Sequence, residues 1–409
     1  MKFRSFLLTT LSLSLYADTT LLSLIDSAHR NEHIESLANR TDAASLYYRA
    51  TKNSYLPRID AFGTATLVDR TGGFDAKRST AAGVKAQMIL FDGFKRENAL
   101  HQHSALHHAA LHDLVGEKKA VSLDVIQRYF ELQNTLDEIQ SNTAMRDRLE
   151  AQLVRLEKFR SAGLASEDAL MRMRSEHANV VYLLEDLRYR SDLQKGDLAI
   201  ITNQHISDLK PSEIKEPTAL KAEEPDSLKA LRYSRDAKVY EAEKSDTGYW
   251  PTVSIEDQYG YYDYHNDPIA AMRVHSQNKF TASLTLNLID FSSASTAKEA
   301  LAAQAQAQTS ELAYATKEAQ NNITMAARSI ERSRTLIHAA QSAFDASQKT
   351  FDAVTQKYEA RIVDYITYLD ALHSLTDASN QLGSAKRSLQ YAYAAYYYYA
   401  GYDPKEFVQ

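Results

Sequence analysis

Two kinds of hydrophobic pattern run along this chain. Phe280, Ala282, Leu284, Leu286 and Leu288 alternate with Thr281, Ser283, Thr285 and Asn287. That period of two gives a β-strand one apolar and one polar face. Val84, Ala86, Met88 and Leu90 alternate likewise with Lys85 and Gln87, and Ile59, Ala61, Gly63, Ala65 and Leu67 with Asp60, Thr64 and Thr66. A further run ends in Tyr259, Tyr261, Tyr262 and Tyr264, and its Asp257 shares a face with Val253 and Ile255. Elsewhere the period lengthens. Ile323, Ile330, Ile337, Phe344, Phe351 and Tyr358 recur every seven residues, with Ala326, Ser333, Ala340, Ser347 and Val354 three positions after the first five. A seven-residue repeat predicts a left-handed supercoil, and a row of small residues lets neighbouring helices approach closely. Val125, Tyr129, Leu132, Leu136 and Ile139 follow the same logic at spacings of four and three.

The whole arrangement occurs twice. Tyr55-Leu56-Pro57 opens one pair of alternating runs and Leu90-Phe91-Asp92 closes it; Tyr249-Trp250-Pro251 and Leu288-Ile289-Asp290 bracket the second pair. A repeat of this kind constrains the fold. The expected organisation is a first repeat over 18–207, a linker over 208–226, a second repeat over 227–403 and a tail over 404–409. The first repeat holds an opening helix, strands at 58–68 and 82–91, and long helices at 93–160 and 166–202. The second holds a helix, strands at 252–264 and 278–289, and long helices at 292–359 and 364–402. The prolines agree. Pro211, Pro217 and Pro225 mark the linker, Pro57 and Pro251 stand at strand starts, Pro268 lies in a hairpin loop, and Pro404 follows the last helix. None interrupts a helical pattern, where it would cost roughly 3 kcal/mol. Residues 93–159 can thus form one helix, or two nearly coaxial ones, of roughly 100 Å at 1.5 Å per residue.

Each strand has about the ten residues that a tilted strand needs to cross a bilayer, and tyrosines at strand ends suit its interface. The loops Asp69–Arg78 and Asp263–Ser276 are polar. Four strands cannot close a membrane barrel, and backbone groups left unpaired in lipid cost several kcal/mol each. The strands must therefore be pooled between copies, and three copies give about twelve strands, enough for a lumen. The competing readings are a soluble β-hairpin domain and a plain antiparallel coiled coil. The latter would make the chain a non-pore periplasmic coiled-coil structural protein.

Composition narrows these choices. Mean hydropathy is −0.44, so the 409 residues are no helical membrane bundle, and a net charge of −6 argues against a nucleic-acid partner. The absence of cysteine excludes disulfides, thiolate metal sites and an acylated N-terminal cysteine. Residues 1–17 read as a signal peptide: Lys2 and Arg4 precede an apolar core from Phe6 to Leu15, with cleavage after Ala17. The competing reading there is an ordinary helix start. There is no P-loop, Gly-x-Ser-x-Gly elbow or His-Glu-x-x-His motif, so neither an enzyme nor a cofactor is expected.

Two clusters stand out. His103 with His107, and His108 with His112, are i,i+4 pairs beside His101 and are weak candidates for binding zinc or copper; a solvated helix face is the simpler reading. Tyr391, Tyr393, Tyr396 through Tyr399, and Tyr402 end the last helix, where packing is expected ahead of a ligand cage.

The Tyr-Leu-Pro opening at 55–57, Leu-Phe-Asp-Gly at 90–93, the helix turn from Phe159 through Gly163 to Ser166, and its second copy from Tyr358 to Ala371 together resemble the outer-membrane factor (TolC-like) efflux family. The resemblance covers essentially the whole chain after the signal. It implies a mainly α fold with a membrane β part: two repeats of long helices flanking a β-hairpin, and a homotrimer sharing a 12-stranded β-barrel continued by a helical barrel. It implies residence in the Gram-negative outer membrane, in contact with its lipid, and reach into the periplasm. The partners it implies are a periplasmic adaptor (membrane fusion) protein and an inner-membrane RND, ABC or MFS transporter. Such a channel serves multidrug or metal efflux, or type I secretion. For the periplasmic gate the resemblance points to Asp370 and Tyr358, with Asp168 beside the first-repeat acidic position, Ala169, and Asp364 as a substitute acid. The family's other aspartate, arginine and turn glycine are replaced by Thr367, Val363 and Arg361. Gly163, Leu164, Ser166, Arg361 and Ile362 fall where the adaptor would dock.

Overall fold

The computed structural model describes residues 20–69, 76–218, 222–267 and 269–409. The expected signal segment 1–17, Pro268 and parts of the Asp69–Arg78 loop and of the linker lie outside the described residues. The chain forms α1 (Leu21–Ala28), α2 (Glu32–Asn53), β1 (Arg58–Leu67), β2 (Arg78–Phe91), α3 (Lys95–Ser161), α4 (Glu167–Thr202), α5 (Asp226–Ser245), β3 (Thr252–His265), β4 (Ser276–Thr285), α6 (Ser293–Glu359) and α7 (Tyr365–Tyr399). Long helices flanking β-hairpins are the fold class that the repeat implied.

Without a proline to break it, α3 is a single helix of 67 residues, and so is α6. Their first residues, Lys95 and Ser293, and their last, Ser161 and Glu359, are offset by the same 198 positions. The repeat is therefore kept in register over the full helix length. α3 starts at Lys95 because Gly93 and Phe94 both take positive φ, 67° and 70°. Gly93 is required there for a second reason: a β-carbon would lie 2.3 Å from Cβ of Trp250.

The strands form one antiparallel sheet in the order β1-β2-β3-β4. The β2–β3 pairing joins the hairpins of the two repeats. Register places Ile59, Ala86, Asp257 and Phe280 in one cross-strand row, and Ala61, Val84, Tyr259 and Asn278 in another. Together with Met88, Ile255, Ala282 and Leu284 these build a mainly apolar face, and Asp257 sits on it as the alternation indicated. That face is uncovered: Ile59 is 75%, Phe280 66% and Leu284 70% exposed. The outer edges of β1 and β4 carry no strand partner among the described residues. The fourth strand is shorter than the expected 278–289. Its ladder stops at the Thr252–Thr285 pair because Pro251, before Thr252, has no N–H to donate. Asp290 then turns the chain into α6, accepting hydrogen bonds from the backbone N–H groups of Ser292 and Ala294, both at 3.0 Å.

The molecule divides into two compact units that cut across the repeats. One comprises Ser36–Gly116 and Asp226–Glu318 and holds the sheet. The other comprises the chain up to Glu35, Glu117–Pro225 and Ala319–Gln409. Each repeat gives its strands to the first unit and its helix turn to the second. The second unit has two apolar clusters. The first gathers Leu21, Leu24, Ile25, Ile126, Tyr129, Tyr393 and Tyr397. The tyrosines expected to pack do so, and Tyr397 stacks on Phe407 at 3.5 Å between ring centroids. Here residues 210–215 of the linker are held in place. Ile214 bridges Val408, the Lys215 N–H donates to the Phe407 carbonyl at 2.8 Å, and the Tyr129 hydroxyl donates to the Lys210 carbonyl. The second cluster, around Leu149, Leu170, Met173, Phe351, Tyr368 and Leu372, underlies the helix turns.

Candidate functional site

The two helix turns of the second unit are built alike. After α3, Gly163 takes φ 71°, its N–H donates to the Arg160 carbonyl at 2.9 Å, and the Leu164 N–H donates to the Phe159 carbonyl at 2.8 Å. After α6, Arg361 takes φ 61°, its N–H donates to the Tyr358 carbonyl at 3.1 Å, and the Ile362 N–H donates to the Lys357 carbonyl at 2.8 Å. Both are Schellman caps, which satisfy the orphan carbonyls of a helix end. The second is made without glycine, and a side chain in this region strains the backbone. Arg361 offsets that strain with a contact: its guanidinium lies 4.7 Å from the ring centroid of Phe159, in the other turn. Arg155 lies 5.3 Å from the same ring and reaches the Glu359 carboxylate at 3.6 Å.

The following helices start alike as well. The Ser166 hydroxyl caps α4, accepting from the Ala169 N–H at 3.2 Å. The Asp364 carboxylate caps α7, accepting from the Thr367 N–H at 2.9 Å and its hydroxyl at 2.8 Å. Those donors hold the Asp364 carboxyl below the usual carboxylate range. Asp364 thus serves the helix start and does not stand as an unengaged acid.

The remaining predicted residues fall in the same region. Asp168 accepts a 2.7 Å hydrogen bond from the Tyr365 hydroxyl, tying α4 to α7 and pushing the Tyr365 phenol up. Tyr358 is half-buried and stacks on Tyr368 at 4.9 Å and 26°; burial raises its phenol as well. Asp370 is exposed and lines a shallow hollow with Arg172, Glu176 and His373. There His373 Nε2 lies 3.0 Å from a Glu176 oxygen. Leu164 and Ile362 project outward, 58% and 72% exposed. Sequence reasoning missed the Arg155–Phe159–Arg361 cluster, Tyr365 and the His373–Glu176 pair. Phe159 and Arg361 lay within the quoted turns, but residue spacing does not say which side chains meet across two turns.

The histidines pack against aromatic rings, and His107 lies beside His108 at 5.8 Å between ring centroids. His101 stacks on Tyr240 at 5.1 Å, His108 and His112 stack on Tyr233, and His103 packs toward Tyr47. His112 Nδ1 lies 2.9 Å from the Asp226 carboxylate. Among the described residues, no group of three or more His, Cys, Asp or Glu is placed to hold a metal ion.

Residues 219–401 match the family described as Outer membrane efflux protein, so the resemblance drawn from the motifs holds over the second repeat. No curated protein matches. The solved structure of the outer membrane protein VceC from Vibrio cholerae is 16% identical with a TM-score of 0.81, over 93% of this chain and 96% of that one. The CmeC outer membrane channel of Campylobacter jejuni gives 12% and 0.84, over 93% and 85%. The open state of the MtrE outer membrane channel of Neisseria gonorrhoeae gives 15% and 0.77, over 94% and 89%. At these identities the likeness is one of fold.

Proposed function

We propose, on the premise that residues 219–401 are an outer membrane efflux protein segment, that the chain is a trimeric outer-membrane channel and not an enzyme. The observation that carries this is the sheet: an apolar face open to its surroundings, bounded by two strands whose outer edges have no strand partner among the described residues. In water such a face and such edges are liabilities; in a bilayer, shared between copies, both are satisfied. Three copies would close a barrel of about twelve strands. The half-covered seam of α6, where Ile323, Ile337, Phe344 and Tyr358 are only partly buried within one chain, supplies the surface that further helices would cover.

Within an export pathway the channel is the passive exit duct. An inner-membrane pump of the RND, ABC or MFS class supplies the energy, and a periplasmic adaptor seats on the turns at Gly163, Leu164, Ser166, Arg361 and Ile362. The gate lies at the same end. The Tyr365–Asp168 bond and the Tyr358–Tyr368 stack hold α4 and α7 against their neighbours. Asp370, exposed in three copies around the axis, attracts cations to the mouth.

The test is fractionation followed by electrophysiology. The protein is expected in the outer membrane as a heat-modifiable trimer that conducts in planar bilayers. Material that stays monomeric and soluble would favour the non-pore coiled-coil reading. Within a conducting trimer, Asp370→Ala is expected to weaken cation selectivity and cation block, and unchanged selectivity would remove Asp370 from the gate.

A further inference from the structure

The polar face of the sheet is not evenly polar. Its charged side chains are Arg58, Asp60, Lys85, Glu256 and Lys279, and they fall in two neighbouring cross-strand rows. One row reads Asp60, Lys85, Gln258, Lys279; the next reads Arg58, Gln87, Glu256, Thr281. The rest of that face is neutral, from Phe62, Thr64 and Thr66 on β1 to Ser283 and Thr285 on β4. The charges therefore form a belt at one level of the sheet.

The belt leans positive, with three cations against two carboxylates. Arg58 Nε donates to Asp60 at 2.9 Å, which pairs one of each. Glu256 lies diagonally to both Lys85 and Lys279 and can offset only one of them. Lys279 is the less compensated. It is exposed on an edge strand, with neutral Gln258 opposite it on β3 and no strand on its other side among the described residues. Turned toward lipid, these cations would destabilise the barrel, most of all near the bilayer midplane, so in a membrane barrel the belt must face the lumen.

Resting on the barrel reading above, we propose that this belt is a charge filter in the barrel lumen. Lys85 and Lys279 are its specificity-determining residues, and cargo bearing carboxylate or phosphate groups is favoured at that level. Low-dielectric walls focus the field of a charged ring into the lumen. A cation-attracting mouth and an anion-favouring belt are separate filters, because they are built from different residues in different compact units.

The test uses the full-length trimer in planar bilayers under a KCl gradient, reading the chloride-to-potassium permeability ratio from the reversal potential. Lys85→Gln/Lys279→Gln is expected to lower that ratio about twofold or more, the effect of removing unit charges roughly 8 Å from a permeating ion in water. Asp60→Asn/Glu256→Gln is expected to raise it. Both are also measured with Asp370→Ala, so that the mouth cannot mask the belt, and heat-modifiable mobility confirms assembly. A ratio unmoved by either pair in both backgrounds, with conductance intact, overturns the filter and leaves the channel reading standing. A wild-type protein that assembles but never conducts overturns the channel reading, and the filter with it.

Discussion

Arg361 offers the most direct check on how the helix turns are held. It occupies a left-handed position, φ 61°, that Gly163 fills in the first repeat. A non-glycine residue there carries strain of about 1 kcal/mol. Its guanidinium, 4.7 Å from the Phe159 ring centroid, returns about 0.5–1 kcal/mol for an exposed cation–π contact. Arg361→Ala removes the contact and keeps the strain, so the turn should lose about 0.5–1 kcal/mol. Arg361→Gly removes both, and the two nearly cancel. The assay is hydrogen exchange of the full-length protein in detergent, read on peptides covering 159–166 and 357–369. Local opening in Arg361→Ala should speed exchange there roughly two- to fivefold, while Arg361→Gly stays near wild type. In a Phe159→Leu background Arg361→Ala should cost little more, because the ring is already gone. Greater protection in the alanine variant than in the glycine variant would refute the reasoning, since it would mean the backbone is unstrained.

Three other outcomes are expected. The Asp364 carboxyl sits below its ordinary value because Thr367 donates to it, so its stabilisation is present above the unfolded pKa near ~3.9 and is lost as pH falls through the folded value. Protection of the turn amides, taken relative to their intrinsic exchange rate at each pH, should therefore fall in acid, and Asp364→Ser, which caps without titrating in that range, should flatten the response. Leu284→Lys on the apolar sheet face should cost up to ~2–4 kcal/mol depending on depth and deplete the heat-resistant trimer on gels, whereas Ser283→Lys on the polar face should be tolerated. Phe407→Ala should destabilise by at least ~1 kcal/mol through the lost stack on Tyr397, and thermal melts followed by far-UV circular dichroism would show it.

The large elements could be read from the sequence because their signals are long. Six residues at seven-residue intervals define α6, and unbroken stretches free of proline make each of the two longest helices continuous. The sheet faces were legible too, down to the misplaced Asp257, because a period of two leaves no freedom once register is fixed. Strand ends were harder. Leu286 and Leu288 continue the alternation of β4, but they lack partners because Pro251 ends the opposing strand. Alternation describes one strand, while a ladder needs two. The turn chemistry was half legible. Gly163 announced a left-handed residue, whereas Arg361 concealed one, since its compensation comes from Phe159, about two hundred positions earlier. Three prolines and several charges mark a linker, but its pairing with the C-terminal residues depends on contacts that composition does not encode.

The sheet has an even number of strands, so β1 and β4 point in opposite directions. A copy that offers its β1 to the β4 of a neighbour always meets it antiparallel, and the join can be repeated without limit. Backbone pairing alone would therefore accept three copies, four, or an endless ribbon. On the trimeric-channel reading, the stoichiometry is then set elsewhere, by how tightly the small-residue rows of the long helices let neighbours bend around an axis. Enlarging Ala340, only partly buried within one chain, should thus change the tally of copies per ring before it harms the strands.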